Sequence, residues 1–182
     1  VKTGATSTEK FVLNAGGLRL TAYMGTKGTP APANSVVYEI FSDERDQFGN
    51  RTRIIGGVKP GLIIRLNSGI YHIVSTLGDA NATVQADVTV EPGKLTEAAV
   101  AHAAAKATFK LVARAGGEAL ADTHWTITTP QGEIVKESVG ALPTHTLAPG
   151  AYVVSARAAD RTFKREFTLQ MDQTTEVEVV MQ

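Results

Sequence analysis

The sequence contains one pattern twice. Residues 65–73 (RLNSGIYHI) align with residues 146–154 (TLAPGAYVV) at an offset of 81, and both read L-x-x-G-x-Y followed by alternating apolar residues. An internal repeat limits the fold more than composition does, because both copies have to form the same structure. We therefore expect two domains of one kind in tandem.

The alignment extends along both copies with offsets that change in steps. The first copy is longer by four residues in its first loop, by seven in its second loop and by two in a later hairpin. Four sets of apolar residues and their offsets place the insertions: Leu18/Leu20 with Phe109/Leu111 (91), Tyr38/Ile40 with Trp125/Ile127 (87), Ile54 with Ile134 (80), and Val88/Val90 with Phe167/Leu169 (79).

Each copy consists of short segments in which apolar and polar residues alternate. This period of two predicts strands with one buried and one solvated face, and turn residues separate the segments. Seven such strands in about 80 residues are typical of an antiparallel sandwich, so the fold class is predicted as all-β, with two tandem seven-stranded immunoglobulin-like (prealbumin-like) sandwiches. The predicted strands of the second copy are 108–114, 123–129, 133–137, 143–147, 151–158, 161–169 and 174–181.

The repeated motif is interpreted as a corner, that is, a tight turn that joins two successive strands. Pro149 and Gly150 suit the second and third positions of a type II turn, and Tyr152 then begins the next strand. Ser68 and Gly69 predict the same corner in the first copy, where Tyr71 takes the place of Tyr152. A corner tyrosine that packs at the end of the sandwich explains both copies better than a catalytic tyrosine does.

The repeat also divides the chain. Residues 96–106 are rich in alanine and favour a helix by intrinsic propensity, but they align with the strand-like segment 175–181, and we predict a strand there. The predicted organisation is a flexible lead-in at 1–10, a first sandwich at 11–104 with an inserted loop at 42–53, and a second sandwich at 105–182. The chain starts without Met, which predicts a mature product or a part of a longer protein.

Composition excludes several classes of function. Eighteen basic residues balance eighteen acidic ones, and neither domain is polarised, with eight against eight in 11–104 and eight against nine in 105–182, so the sequence provides no basic field for nucleic acid. The absence of cysteine excludes disulfides, thiol catalysis and thiolate metal sites. No run of apolar residues is long enough to insert into a membrane.

The repeated motif, the aromatic-x-aliphatic strands 38–40 and 125–127, and the Val-rich closing strand resemble the carboxypeptidase regulatory-like and Cna B-type modules. The segments WTITTPQGEIVKES and LPTHTLAPGAYVV also resemble uncharacterised envelope proteins of alphaproteobacteria. The resemblance implies a prealbumin-like sandwich that serves as a spacer, stalk or adhesion unit of secreted or envelope proteins.

Two chemistries of that family can be tested on the sequence. Some Cna B-type modules join a first-strand Lys to a last-strand Asn or Asp. Lys110 lies in the first strand of the second copy, but its neighbours Phe109 and Leu111 take the core-facing positions, and residues 174–182 contain no Asn or Asp. The related hydroxyisourate hydrolases end in a Tyr-Arg-Gly-Ser-like tail, which this sequence lacks. Neither chemistry is expected in this chain.

The spacing of the histidine and serine residues indicates neither a metal site nor a catalytic serine. His72, His102, His124 and His145 show no ligand-like spacing and are predicted to be isolated imidazoles on the surface or at strand edges. Ser, His and Asp are all present, but no nucleophile elbow organises them. Trp125, the single tryptophan, shares a face with Ile127 and is predicted to be a core residue rather than a sugar platform.

The seven-residue insertion is the most distinctive local feature. It contains Asp43, Asp46, Phe48 and Asn50, which we predict to be the ligand-binding residues if the chain binds a specific partner. The oxygen atoms could hold calcium, but the D-x-D-x-D-G order of a dedicated loop is missing, so no metal site is assigned. Phe48 is the candidate exposed anchor.

The sequence thus predicts a structural or protein-interaction module of a larger envelope or secreted protein, in the periplasm or cell envelope. No enzyme activity and no cofactor are predicted, and the expected partners are another protein or other domains of the parent chain. A carbohydrate-binding module, with a polysaccharide partner, is the alternative, and an enzyme of unknown class comes third.

Overall fold

The computed structural model describes residues 14–25 and 28–182, which form strands and turns and no helix. The predicted lead-in at 1–10 lies outside the described residues. The strands are β1 (Ala15–Met24), β2 (Thr29–Pro30), β3 (Val36–Arg45), β4 (Arg51–Val58), β5 (Ile63–Asn67), β6 (Gly69–Leu77), β7 (Ala82–Val90), β8 (Leu95–His102), β9 (Ala105–Val112), β10 (His124–Thr128), β11 (Ile134–Val139), β12 (Thr144–Leu147), β13 (Gly150–Ala158), β14 (Arg161–Leu169) and β15 (Thr174–Val180).

The strands form two pairs of sheets. In the first copy, β1 pairs with β8 along one side and with β5 and β2 along the other, and the facing sheet has the order β4-β3-β6-β7. In the second copy, β9 pairs with β12 and β15, and the facing sheet has the order β11-β10-β13-β14. The two copies therefore share one topology, and the predicted all-β fold class is confirmed.

Buried and exposed residues alternate along the strands, and the buried apolar side chains form a separate hydrophobic core in each copy. Leu18, Leu20, Tyr38 and Ile40 are fully buried in the first core. Their predicted equivalents are fully buried in the second core, where Phe109 lies 5.8 Å from the Trp125 ring, centroid to centroid. Each pair aligned in the sequence therefore occupies the same place in its sandwich, and the predicted core position of Trp125 is confirmed.

The strand boundaries follow the repeat closely. The alanine-rich segment that favours a helix by propensity is extended as predicted: residues up to 102 form β8, which pairs in parallel with β1 over its whole length, and residues 105–106 already begin β9. Tertiary pairing with an existing strand outweighs the helix propensity of alanine at this position. The first copy has eight strands rather than seven, because it also contains the two-residue strand β2.

The repeated corner has the expected tyrosine but not the expected turn. The hydroxyl of Tyr71 donates to the carbonyl of Asn67 (2.9 Å), and that of Tyr152 donates to the carbonyl of Ala148 (2.7 Å). Gly69 and Gly150 have φ values of 156° and 154°, whereas the third position of a type II turn requires about +80°. The type II prediction was wrong, since each glycine already begins an extended strand.

A buried polar group lies in the first core. His102 is 1% exposed, and its Nε2 lies 2.7 Å from the hydroxyl of the fully buried Ser75. Ser75 pairs across the sheet with Tyr38, and burial raises the pKa of Tyr38 to about 12. Burial also lowers the pKa of His102 below its ordinary value of 6.5, because the protonated ring loses its hydration. The prediction of an isolated surface imidazole was therefore wrong for His102, which follows the inward positions of β8.

We predict that His102 makes the free energy of unfolding decrease as the pH is lowered. The unfolded chain binds a proton at His102 near pH 6.5, whereas the folded chain resists it, so stability is lost as the pH falls below about 6.5. His102→Gln keeps a polar group for Ser75 but does not titrate. Urea unfolding between pH 7.5 and 5 should show a shallower decline for His102→Gln, by up to about 1.4 kcal/mol for each pH unit. Identical slopes for both proteins would contradict the prediction.

Candidate functional site

The inserted segment is a long hairpin rather than the loop predicted at 42–53. Strand β3 continues to Arg45 and β4 begins at Arg51, so only residues 46–50 form the turn. The register of β3 places Ser42 opposite Tyr71, near the start of β6. The hairpin tip therefore lies beyond the start of β6, at the end of the first sandwich where β6 begins.

The carboxylate of Asp46 stabilises this tip by hydrogen bonds within the turn. Its Oδ1 accepts the main-chain N–H groups of Phe48 (2.9 Å) and Asn50 (2.8 Å). Its Oδ2 lies 3.4 Å from the side-chain amide nitrogen of Asn50. These bonds, led by that from the Asn50 main chain, hold the pKa of Asp46 below its usual value. The carboxylate is thus engaged in fixing the turn.

The predicted site residues do not converge on one point. The structure brings Asp46 and Asn50 together, while Asp43 lies on β3 and pairs with Arg51 (3.5 Å). Phe48 is 79% exposed at the tip. Within the described part of the chain, no cluster of three or more His, Cys, Asp or Glu side chains could hold a metal ion. The hairpin therefore presents an aromatic ring on a braced turn.

Charged side chains support the base of the hairpin. His72 Nδ1 lies 2.6 Å from Asp87 Oδ1, and this bond, followed by the charges of Arg51 and Arg45, lowers the pKa of Asp87. Arg45 also donates to the carbonyl of Gly49 (2.7 Å) inside the turn. Arg45 therefore bonds to the turn directly, and the charges of Arg45 and Arg51 connect the base of the hairpin to Asp87 on β7.

A second cluster joins the two sandwiches. The turn between β6 and β7 carries Asp79, whose Oδ2 lies 2.9 Å from His145 Nδ1 and 3.1 Å from Lys136 Nζ. Both partners belong to the second copy, on β12 and β11. Burial alone would raise the pKa of Asp79, but the hydrogen bonds from Lys136 and His145 outweigh it and hold the pKa below its usual value.

Asn81 completes this contact. Its amide nitrogen donates to the hydroxyl of Tyr152 (3.0 Å), and its carbonyl oxygen accepts the main-chain N–H of Ala148 (3.0 Å). Ala80, between the two polar residues, packs against the second core. We name residues 78–81 the latch turn. It has four residues, whereas the equivalent turn between β13 and β14 has two, which is the two-residue insertion of the repeat.

The latch turn completes a chain of bonds in the order Ser, His, Asp. Because a carboxylate only accepts, His145 Nδ1 carries the proton, and in the neutral ring Nε2 accepts from the hydroxyl of Ser138 at 2.9 Å. Ser138 pairs with the buried Trp125 and shares its inward-facing position on the sheet. The serine hydroxyl therefore lies between the sheets, where it orients the imidazole that holds Asp79.

The sequence prediction was wrong about His145, which is 6% exposed and fully engaged. Two signals could have found it. His145 lies two residues before the buried Leu147 and so shares its inward position, and the first copy carries a longer turn at 78–81. Sequence reasoning missed the contact because Asp79 and His145 belong to different copies.

Other predicted orientations are confirmed. Lys110 points outward and pairs with Glu176 (2.8 Å) and Glu178 (3.0 Å), and these carboxylates raise its pKa. Trp125 donates its indole N–H to the carbonyl of Gly140 (2.8 Å). Both side chains therefore have structural partners.

One family model matches the second copy. Residues 106–181 match the Rhizobiales growth-associated tandem repeat domain. This match covers β9 to β15 but for Ala105, and thus one complete sandwich. No curated protein matches the chain in sequence.

Several solved structures are similar to most of the chain at low identity. The streptococcal ancillary pilin is 14% identical, with 93% of this chain and 63% of that chain covered and a TM-score of 0.43. The minor pilin GBS52 of Streptococcus agalactiae is 9% identical, with 91% and 94% covered and a TM-score of 0.42. The Bacillus anthracis TIE protein is 16% identical, with 93% and 34% covered and a TM-score of 0.35, so the chain spans about a third of its length. Values this low assign no function.

The structure also shows whether any helix could cross a membrane. In the ranges 14–25 and 28–182, no helix has the length and apolar character needed to cross a bilayer.

We predict that removing the Asp79 carboxylate destabilises the second sandwich. Asp79→Ala leaves the buried His145 without its acceptor, which typically costs about 1–3 kcal/mol. Trp125 is the single tryptophan and lies in the second core, so its fluorescence reports unfolding of that sandwich. The denaturation midpoint followed by Trp125 should fall, although the substitution lies in the first copy.

Asp87→Ala is the matched control, since Asp87 pairs with His72 within the first sandwich. It should leave the midpoint reported by Trp125 unchanged. Equal shifts for the two variants, or no shift for Asp79→Ala, would contradict a role for the latch turn in holding the sandwiches together.

Proposed function

We propose that the chain is a non-catalytic spacer and protein-interaction unit of a larger envelope or secreted protein, with residues 11–104 and 105–182 as its two domains. The main support for the proposal is the structure of the junction between the two sandwiches. Strand β8 ends at His102 and β9 begins at Ala105, and the latch turn bonds to the second sandwich beside this crossing. A two-residue connection with a side contact restricts the angle between the domains.

The inserted hairpin supports a role in contacting a partner. The tip lies beyond the start of β6, whereas the latch turn follows the end of β6, so Phe48 and the second domain are at opposite ends of the first. An exposed aromatic ring on a preorganised turn loses little conformational entropy on binding. The proposed partner is a protein with an apolar pocket for Phe48 and charged residues around it.

The remaining parts of the proposal concern chemistry and location. The Ser138–His145–Asp79 bonds join the domains, which supports a structural rather than a catalytic role for them. We propose a location outside the cytoplasm, in the periplasm or cell envelope, and no cofactor.

We predict that the distance between the far ends of the two domains has a narrow distribution. The chain lacks cysteine, so Lys94→Cys and Asp160→Cys place spin labels on turns at opposite ends of the molecule. Double electron–electron resonance should give one narrow peak. In the background Asp79→Ala/Asn81→Ala the peak should broaden, because the domains can then pivot about residues 103–104. A broad distribution in the unaltered background would overturn the spacer proposal.

We predict that a partner crosslinks at the hairpin tip. A benzoylphenylalanine residue at position 48, in the full-length protein within the cells that produce it, should give a discrete protein adduct on illumination. Position 134 is the matched control, since Ile134 is 64% exposed and lies next to the turn of the equivalent, shorter hairpin of the second domain. The same adducts at both positions, or none at position 48, would count against the tip as a contact site.

A further inference from the structure

A cleft of about 490 Å³ lies between the two sandwiches, beside the junction. Its floor is apolar and consists of Met24, Leu77, Ala104 and Ala105. Sites for small molecules commonly have this size and lie between domains. The cleft is separate from the hairpin tip, which lies at the opposite end of the first domain.

Close contacts hold both walls of the cleft. On one side, the side-chain carboxylate of Asp172 packs directly on the main chain of Gly25, where an added Cβ atom would lie 2.2 Å from a carboxylate oxygen. On the other side, a Cβ atom at Gly78 would lie 2.6 Å from Cβ of Thr146. The main chain of Gly25 also donates to the carbonyl of His102 (3.0 Å). The cleft is therefore preformed.

One rim of the cleft carries a row of hydrogen-bond donors. Thr146, Lys106 and Thr174 are direct cross-strand neighbours on β12, β9 and β15, so their side chains share the outer face of the sheet. All three line the cleft. An ammonium group between two hydroxyl groups suits a carboxylate, which only accepts hydrogen bonds.

The charge of Lys106 is available for a ligand. The ion pairs among the described residues do not include Lys106. Lys110, on the same face of the same strand, is instead neutralised by Glu176 and Glu178. Asp172 supplies one negative charge elsewhere on the rim and disfavours a ligand with a second anionic group.

We propose that this cleft binds a small amphipathic molecule with an apolar body and a single carboxylate. The apolar body lies on the floor formed by Met24, Leu77 and the two alanines. The carboxylate lies on the row formed by Thr146, Lys106 and Thr174. Because the floor spans the junction, the bound molecule contacts both domains.

The test uses decanoate below its self-association range, with decanol as its neutral counterpart, titrated into the chain by isothermal calorimetry. Decanoate should bind saturably at one site. Lys106→Met keeps the length of the side chain but removes its charge, and it should weaken decanoate several-fold, as expected for a partly exposed charge contact, while decanol is unaffected. Thr174→Trp places an indole over the exposed rim and should abolish binding of both.

The control variant is Lys164→Met, which removes an exposed lysine of β14 outside the cleft and should bind decanoate as the wild type does. Thermal melting verifies that each variant is folded. Unsaturable partitioning, unchanged binding by folded Thr174→Trp, or equal weakening by Lys106→Met and Lys164→Met would overturn the proposal. The distance and crosslinking measurements do not depend on this outcome.

Discussion

The rest of the molecule depends on how little chain connects the two sandwiches. Ala104 packs in the first core and Ala105 in the second, so consecutive residues belong to different hydrophobic interiors. Each core buries its strands without disulfides, and small sandwiches of this size gain only modest stability from burial alone. The short connection forces the ends of the sandwiches into contact, and their side chains have to satisfy one another there.

The two sides of that contact have opposite chemistry. On one side the latch turn exchanges hydrogen bonds with His145, Lys136 and Tyr152, and every partner of Asp79 comes from the other copy. Near the cleft the Asp172 carboxylate lies against the main chain of Gly25, and apolar surface stays open beside it. The polar side restricts the geometry, because the buried His145 has to keep both Asp79 and Ser138 as hydrogen-bond partners.

The repeat predicted most of the fold because each copy constrains the other. Aligned residues such as Phe109 and Leu18 had to share a position, and alternation alone gave their orientation. The candidate sites were harder to predict. Asp46 resembled a ligand in sequence, but its carboxylate accepts bonds from its own turn. The pairing of Asp79 with His145 depends on the packing of one copy against the other, which a pattern within each copy does not contain.

Both sandwiches close in the same way, with the first and last strands pairing in parallel, β1 with β8 and β9 with β15. The chain enters each domain at one end of this pair and leaves at the other. A pull along the molecule therefore slides the two strands past each other and loads all the hydrogen bonds between them at once, instead of opening them one after another. In a chain without disulfides, this parallel pair is the part of each domain on which such a pull would act first.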